Sequence, residues 1–143
     1  MSAFIDSPAE TLARFATAQA GAVISTLPAE GTHPESAWVN IAVLDDGRFV
    51  FEANQRSRKA ANLRARPEAA LVLVDGAAHE FQLEAQAEIL QGQQEQDARA
   101  ALKAAHPDAG GDPAKVIVVA LRIGWARWVD ATVKPSITEE TTF

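Results

Sequence analysis

Cysteine and tyrosine are both absent from the 143 residues, and methionine occurs once. Without cysteine there is no disulfide and no thiolate chemistry, which fits a cytoplasmic protein. Long apolar runs are missing too. The plainest is 116–121, far short of the roughly 20 residues that span a bilayer, so no membrane partner is expected. The opening MSAFIDSPAE has neither a basic n-region nor an apolar h-region, so no secretory signal is expected. Positive charge is scarce: 13 Lys and Arg against 19 Asp and Glu give a net charge of −6, which argues against nucleic acid as the main partner. There is no glycine-rich phosphate loop of the P-loop or dinucleotide-binding type, no nucleophile elbow and no internal repeat.

What remains has the composition of one globular domain, with 48% hydrophobic and 22% charged residues. A helix is expected over residues 8–20, with Ser7 as cap, Pro8 in the first turn and Glu10 at capping-box spacing. Strands are expected at 22–27, 37–44, 49–54, 69–74, 79–90 and 115–129, punctuated by Asp45-Asp46-Gly47 and Asp75-Gly76. Both faces of 37–44 are largely apolar, which predicts that its second face is covered by a partner subunit or a ligand. On the last strand, Ile117, Val119, Leu121, Ile123 and Trp125 share one face by alternation. A polar, alanine-rich helix fits 93–105. The expected fold is mainly β with flanking helices, a six-stranded antiparallel barrel over residues 1–133. The tail, 134–143, has little to bury and reads as a flexible or partner-clasping arm.

One stretch reverses the sign of the chain. Residues 56–66 hold Arg56, Arg58, Lys59, Arg64 and Arg66, with no acid between Glu52 and Glu68. Ser57 is a good N-cap, which puts Arg58 and Lys59 in a first helical turn. Cations there oppose the helix dipole unless an anion sits at the helix start. Free backbone N–H groups and two cationic side chains form such a site for a phosphate. A solvated basic face is the plainer alternative, and it suits Arg64 and Arg66, which lie farther along the helix.

The order of these marks resembles the pyridoxamine 5′-phosphate oxidase-like superfamily of FMN-binding split β-barrels. A strand ending in Ser25-Thr26 leads to a Gly-Pro loop and a long strand. The Asp45-Asp46-Gly47 hairpin comes next, then S-R-K-x-x-N-L-R from Ser57 to Arg64, Pro67 and an apolar strand. Residues 123–132, IGWARWVDAT, are similar to the closing strand of the small stress-protein-like members. The resemblance implies a homodimer with two flavin sites between subunits. It implies that Arg58 and Lys59, after Ser57, hold the flavin phosphate. The ring would lie near Val39 and Asn40, with Glu52 and Ala53 beside it and Trp128 reaching a partner's site. FMN is the implied cofactor, with a deazaflavin or haem used elsewhere in the superfamily.

Departures from the true oxidase are plain. Ala37 and Ala42 stand where it has Arg and Lys, Ala53 where Thr is common, and Glu80 where a glutamine touches the flavin. Its substrate-binding tyrosine and C-terminal arginine motif have no counterpart. Oxidation of pyridoxamine phosphate is therefore not expected. A flavin-dependent oxidoreductase of unknown substrate is one reading, and a non-catalytic cofactor-binding or stress-linked dimer the other. Trp38 and Trp125 could stack on a flavin or line its cleft but are assigned to packing in the core or an interface, Asn62 and Leu63 to structure, and Glu80, Glu84 and Glu88 to a solvated strand face. His33, His79 and His106 show no metal-ligand spacing, and Arg127 is expected to ion-pair with Asp130 or Glu84 if it meets no phosphate.

Overall fold

The computed structural model describes residues 7–143. Helix α1 (Pro8–Ala18) starts at Ser7, whose Oγ accepts the Glu10 amide at 3.3 Å. The chain continues through β1 (Gly21–Thr26), β2 (Glu35–Asn40), β3 (Ala42–Val43), β4 (Phe49–Asn54) and α2 (Arg58–Ala65). It ends with β5 (Glu68–Val74), β6 (His79–Ile89), α3 (Gly92–Ala105), β7 (Val116–Asp130) and β8 (Ile137–Thr142). Every ladder is antiparallel, in the order β2-β1-β5-β6-β7-β4-β3, with β8 added along β7. The sheet curls around one core and is a split barrel of eight strands rather than six.

Phe49, Phe51 and Phe81 are fully buried, and burying each contributes about 1.5–3 kcal/mol. They share the interior with Ile24, Leu71, Leu73, Leu83, Val119 and Leu121, and α1 closes it with Leu12, Phe15 and Ala16. A second, smaller cluster joins Ala42, Val50, Val118 and Ala120 to Ala98 and Leu102 of α3.

Three expectations change here. The strand read as 37–44 breaks at Ile41 into β2, which pairs with β1, and β3, which pairs with β4. Its second face is covered in part by α3 over Ala42 and Leu44, so part of its apolar character serves this chain's own packing. In β7, Gly124 forms a bulge: Glu84 faces Trp125 and Ala85 faces Ile123, leaving Gly124 unmatched. The extra residue reverses the alternation. Ala126 and Trp128 therefore turn to the core, and Trp125 leaves the face it shares in the sequence pattern. Finally, the tail forms β8. Arg127 accordingly pairs with Glu140 on β8, from Nη2 at 2.7 Å and Nε at 3.0 Å, rather than with Asp130 or Glu84.

Beyond the bulge, Trp128 meets Phe15 and Phe81 edge-on or tilted, and its ring stacks on His79 at 5.1 Å. His79 Nδ1 lies 2.7 Å from Asp75 and Nε2 3.4 Å from Asp130, tying the β5–β6 turn to the end of β7. The Asp75 carboxyl is below its ordinary range: burial opposes ionisation, but hydrogen bonds from the Ala77 amide and from His79 outweigh it. The Thr132 hydroxyl and amide lower that of Asp130. Carboxylates depressed in the fold contribute stability that is present above their unfolded pKa, about 3.9, and lost as pH falls through the lower folded value. The melting temperature is expected to drop as pH falls below about 4, and Asp130→Asn to flatten that limb. Thermal melts from pH 6 to 2 check this; an identical acid limb in the variant would contradict it.

Candidate functional site

The strand order leaves two ends. β2 pairs on one side only, with β1, and residues 51–54 of β4 pair only with β7. The free edges of β2 and β4 thus lie where the barrel fails to close. Unpaired backbone N–H and C=O groups need partners, so this gap is a natural place for a polar ligand.

A cleft of about 570 Å³ fills the gap. Trp38, Val39 and Asn40 line it from β2, Glu52 from β4 and Lys59 from α2. Arg99, Leu102, Lys103 and His106 line it from α3 and its end, and residues 109–111 from the following loop. Its volume falls within the ~300–1,000 Å³ range of small-molecule sites. A larger cavity, about 1000 Å³, opens beside Leu12 and Ala13 of α1. Its lining is largely apolar and includes none of the eight residues the sequence singles out, so the smaller cleft is the better candidate for an anionic ligand.

Val39, Asn40, Glu52 and Lys59 therefore come together. Ser57 caps α2, its Oγ accepting the Ala60 amide at 3.2 Å, while the amides of Arg58 and Lys59 occupy the first turn, where no carbonyl precedes them. Four of the eight do not line the cleft: Ser57 and Arg58 stay at the start of α2 outside it, and Ala53 and Trp128 lie elsewhere. Ala53 is buried in the core, so its side chain faces away from the gap. Trp128 packs on Phe15, Phe81 and His79 instead of lining the cleft of its own chain.

Arg58 is held from outside the helix. Its Nη1 donates to Glu35 Oε2 at 2.9 Å, while the side chain stays 87% exposed. Glu35 Oε1 accepts from Nδ2 of Asn62 at 3.1 Å. Asn62 is 2% exposed and uses all its polar groups: Nδ2 also donates to Thr26 Oγ1 at 2.9 Å, and Oδ1 accepts the Ala29 amide at 2.7 Å. The hydrogen bond from Arg58, then that from Asn62, holds the Glu35 carboxyl below the usual carboxylate range, and Glu35 in turn raises Arg58.

Sequence reasoning missed the far wall. Arg99, Lys103 and His106 recur at helical spacing, which was the available signal. Arg99 reaches Glu52 at 3.7 Å and Glu95 at 3.5 Å, and donates to the Val116 carbonyl at 3.1 Å. Glu52 also accepts the Gly111 amide at 3.3 Å, which ties the loop after α3 to the cleft. His106 donates from Nε2 to the Ile41 carbonyl at 2.7 Å, a carbonyl at the break between β2 and β3.

The profile of the pyridoxamine 5′-phosphate oxidase family matches residues 8–129. The chain belongs to this family. Among solved structures it is similar to a haem-binding protein from Mycobacterium smegmatis, at 24% identity and TM-score 0.74. That alignment covers 96% of this chain but only 59% of the mycobacterial one, so the chain spans less than two thirds of that relative. The Rv2991 protein of Mycobacterium tuberculosis matches at 22% identity and TM-score 0.73, covering 88% of this chain and 86% of that one. A Clostridium acetobutylicum protein related to general stress protein 26 matches at 16% identity and TM-score 0.66, covering 92% and 93%. At these identities the likeness concerns the fold. No curated protein matches the sequence. No helix among the described residues of this family member is long and apolar enough to cross a membrane.

Asn62 is the hinge of the polar network. Asn62→Ala removes hydrogen bonds to Thr26, Ala29 and Glu35 and leaves the buried Thr26 hydroxyl without this partner. The expected loss is about 2–3 kcal/mol of stability by chemical denaturation. A loss within 0.5 kcal/mol, the range of ordinary surface substitutions, would contradict the assignment.

Proposed function

We propose that this chain holds FMN in the split of the barrel, as a flavin-dependent oxidoreductase acting on a small molecule. The observation that carries the reading is the first turn of α2: a capped, acid-free helix start with Arg58 and Lys59, opening beside a cleft that Lys59 itself lines. Arg58, Lys59 and the free amides of that turn would hold the phosphate, each charge-assisted contact contributing about 1.5–3 kcal/mol. The free edges of β2 and β4 offer hydrogen bonds to the polar edge of a planar ring, and Trp38 and Val39 offer apolar surface. Bound FMN would supply the hydride or electron chemistry, and the protein position and electrostatics. The family typically binds flavin, which supports the assignment.

The same reading includes a homodimer. Trp38, Val23 and Val72 stand opposite one another across β2, β1 and β5, with Val74 two residues beyond Val72. All four are large apolar side chains left exposed, Trp38 at 59%. A second copy on this face would cover them and close the cleft at the Trp38 rim. Sedimentation at twice the 15.2 kDa chain mass is expected, with Val72→Glu shifting the species to monomer. A wild-type monomer at micromolar concentration would overturn the dimer.

A second reading is a cofactor-holding protein without turnover. Glu52 and His106 are the only carboxylate and imidazole among the described residues lining the cleft, and both are already engaged. Titration with FMN, followed by a search for steady-state flavin reoxidation, separates the two. Arg58→Ala is expected to weaken FMN binding by about 1–3 kcal/mol with the melting temperature retained. Unchanged affinity would sink the phosphate assignment. Failure of the wild type to quench FMN fluorescence would direct the reading to deazaflavin or haem.

A further inference from the structure

Lys59 lines the cleft through the walls of the fold, but Arg58 stands outside it with 87% of its side chain exposed. A long cation in that position has many rotamers, and a binding role requires that something restrict them. Its guanidinium meets the Glu35 carboxylate at 2.9 Å. Glu35 lies 23 residues earlier, at the first position of β2, and is 29% exposed. Its other oxygen is bonded to Asn62, and Asn62 is in turn bonded to Thr26, both 2% exposed. An unbroken series of hydrogen bonds thus runs from the core, through Thr26, Asn62 and Glu35, to an exposed arginine at the start of α2.

We propose that Glu35 is a positioning residue that holds Arg58 for an incoming phosphate. The inference rests on the phosphate reading of Arg58 and Lys59. The geometry allows both partners at once: Glu35 engages Nη1, and a guanidinium has five N–H donors in a fixed fork, so Nη2 and Nε remain for phosphate oxygens. Glu35 also carries a negative charge near the proposed phosphate, which opposes binding through space. The positioning role requires that the restricted rotamer outweigh this repulsion, and the sign of the effect in a variant therefore tests it directly.

The experiment is a double-mutant cycle on the full chain, with FMN affinity read by fluorescence quenching for the wild type, Glu35→Ala, Glu35→Gln, Arg58→Ala and the Glu35→Ala/Arg58→Ala pair. Glu35→Ala is expected to weaken binding about tenfold in the wild-type background and not at all where Arg58 is already gone. Glu35→Gln keeps an acceptor oxygen for Arg58 and is expected to stay within about threefold of wild type. Tighter binding in Glu35→Ala would make Glu35 a competitor of the phosphate and overturn the proposal. An equal loss with and without Arg58 would make its role general support of the fold and would also overturn it. If Arg58→Ala weakens binding and Glu35→Ala does not, the positioning role alone fails. If Arg58→Ala leaves affinity unchanged, or wild type does not bind FMN, the phosphate reading fails and the role of Glu35 with it.

Discussion

The feature on which the rest depends is the incomplete closure of the barrel between β2 and β4. A closed barrel satisfies every strand edge, whereas this one leaves two edges facing each other across a gap. α2 and α3 flank that gap because their apolar residues, Leu63 on one and Ala98 and Leu102 on the other, are the parts the core can accept. Their remaining faces deliver Lys59, Arg99, Lys103 and His106 into it. The site is thus a consequence of how the sheet ends.

The elements around the gap are fastened by polar anchors. On one side, buried Asn62 ties α2 to β1, to the chain just after it and to the start of β2. On the other, His106 fixes the end of α3 to the carbonyl at the β2–β3 break, and Glu52 links Arg99 to the loop at Gly111. Each anchor joins segments far apart in the chain: 36 residues for Asn62 with Thr26, 65 for His106 with Ile41 and 59 for Gly111 with Glu52. A strand edge facing only solvent would need no such fastening. These anchors fix the helices that carry the cationic groups at the gap, in a chain whose net charge is −6.

Much of this could be read from the residues. Ser7 and Ser57 cap the helices they were assigned, and the turn at Asp45-Asp46-Gly47 joins β3 to β4, with Gly47 at φ 89°. The half-buried alternation of 79–90 became β6. The misses share a cause. Straight alternation places Trp125 on the wrong face because it runs through Gly124, a residue type that can mark a bulge but whose ladder shift is fixed only against the partner strand. Residues 137–142 have little apolar character of their own, which suggests a flexible or partner-clasping arm, yet they pair along β7, where Arg127 meets Glu140. Glu35 falls ahead of the strand expected from 37, and its partners, Arg58 and Asn62, lie in another element.

The sequence by itself determined the mainly β class, the positions of the turns and helix starts, and the site of charge reversal at Ser57, Arg58 and Lys59. Those features are local: caps, alternation and turns are set by residues within a few positions of one another, and their chemistry is legible in order. The tertiary structure decided which strand edges stay unpaired, which α3 side chains enter the gap, where Trp128 packs and how Arg58 is held. Those depend on pairings between distant segments, and a hydrogen bond such as that from Asn62 to Thr26 leaves no mark in either segment until the chain has folded.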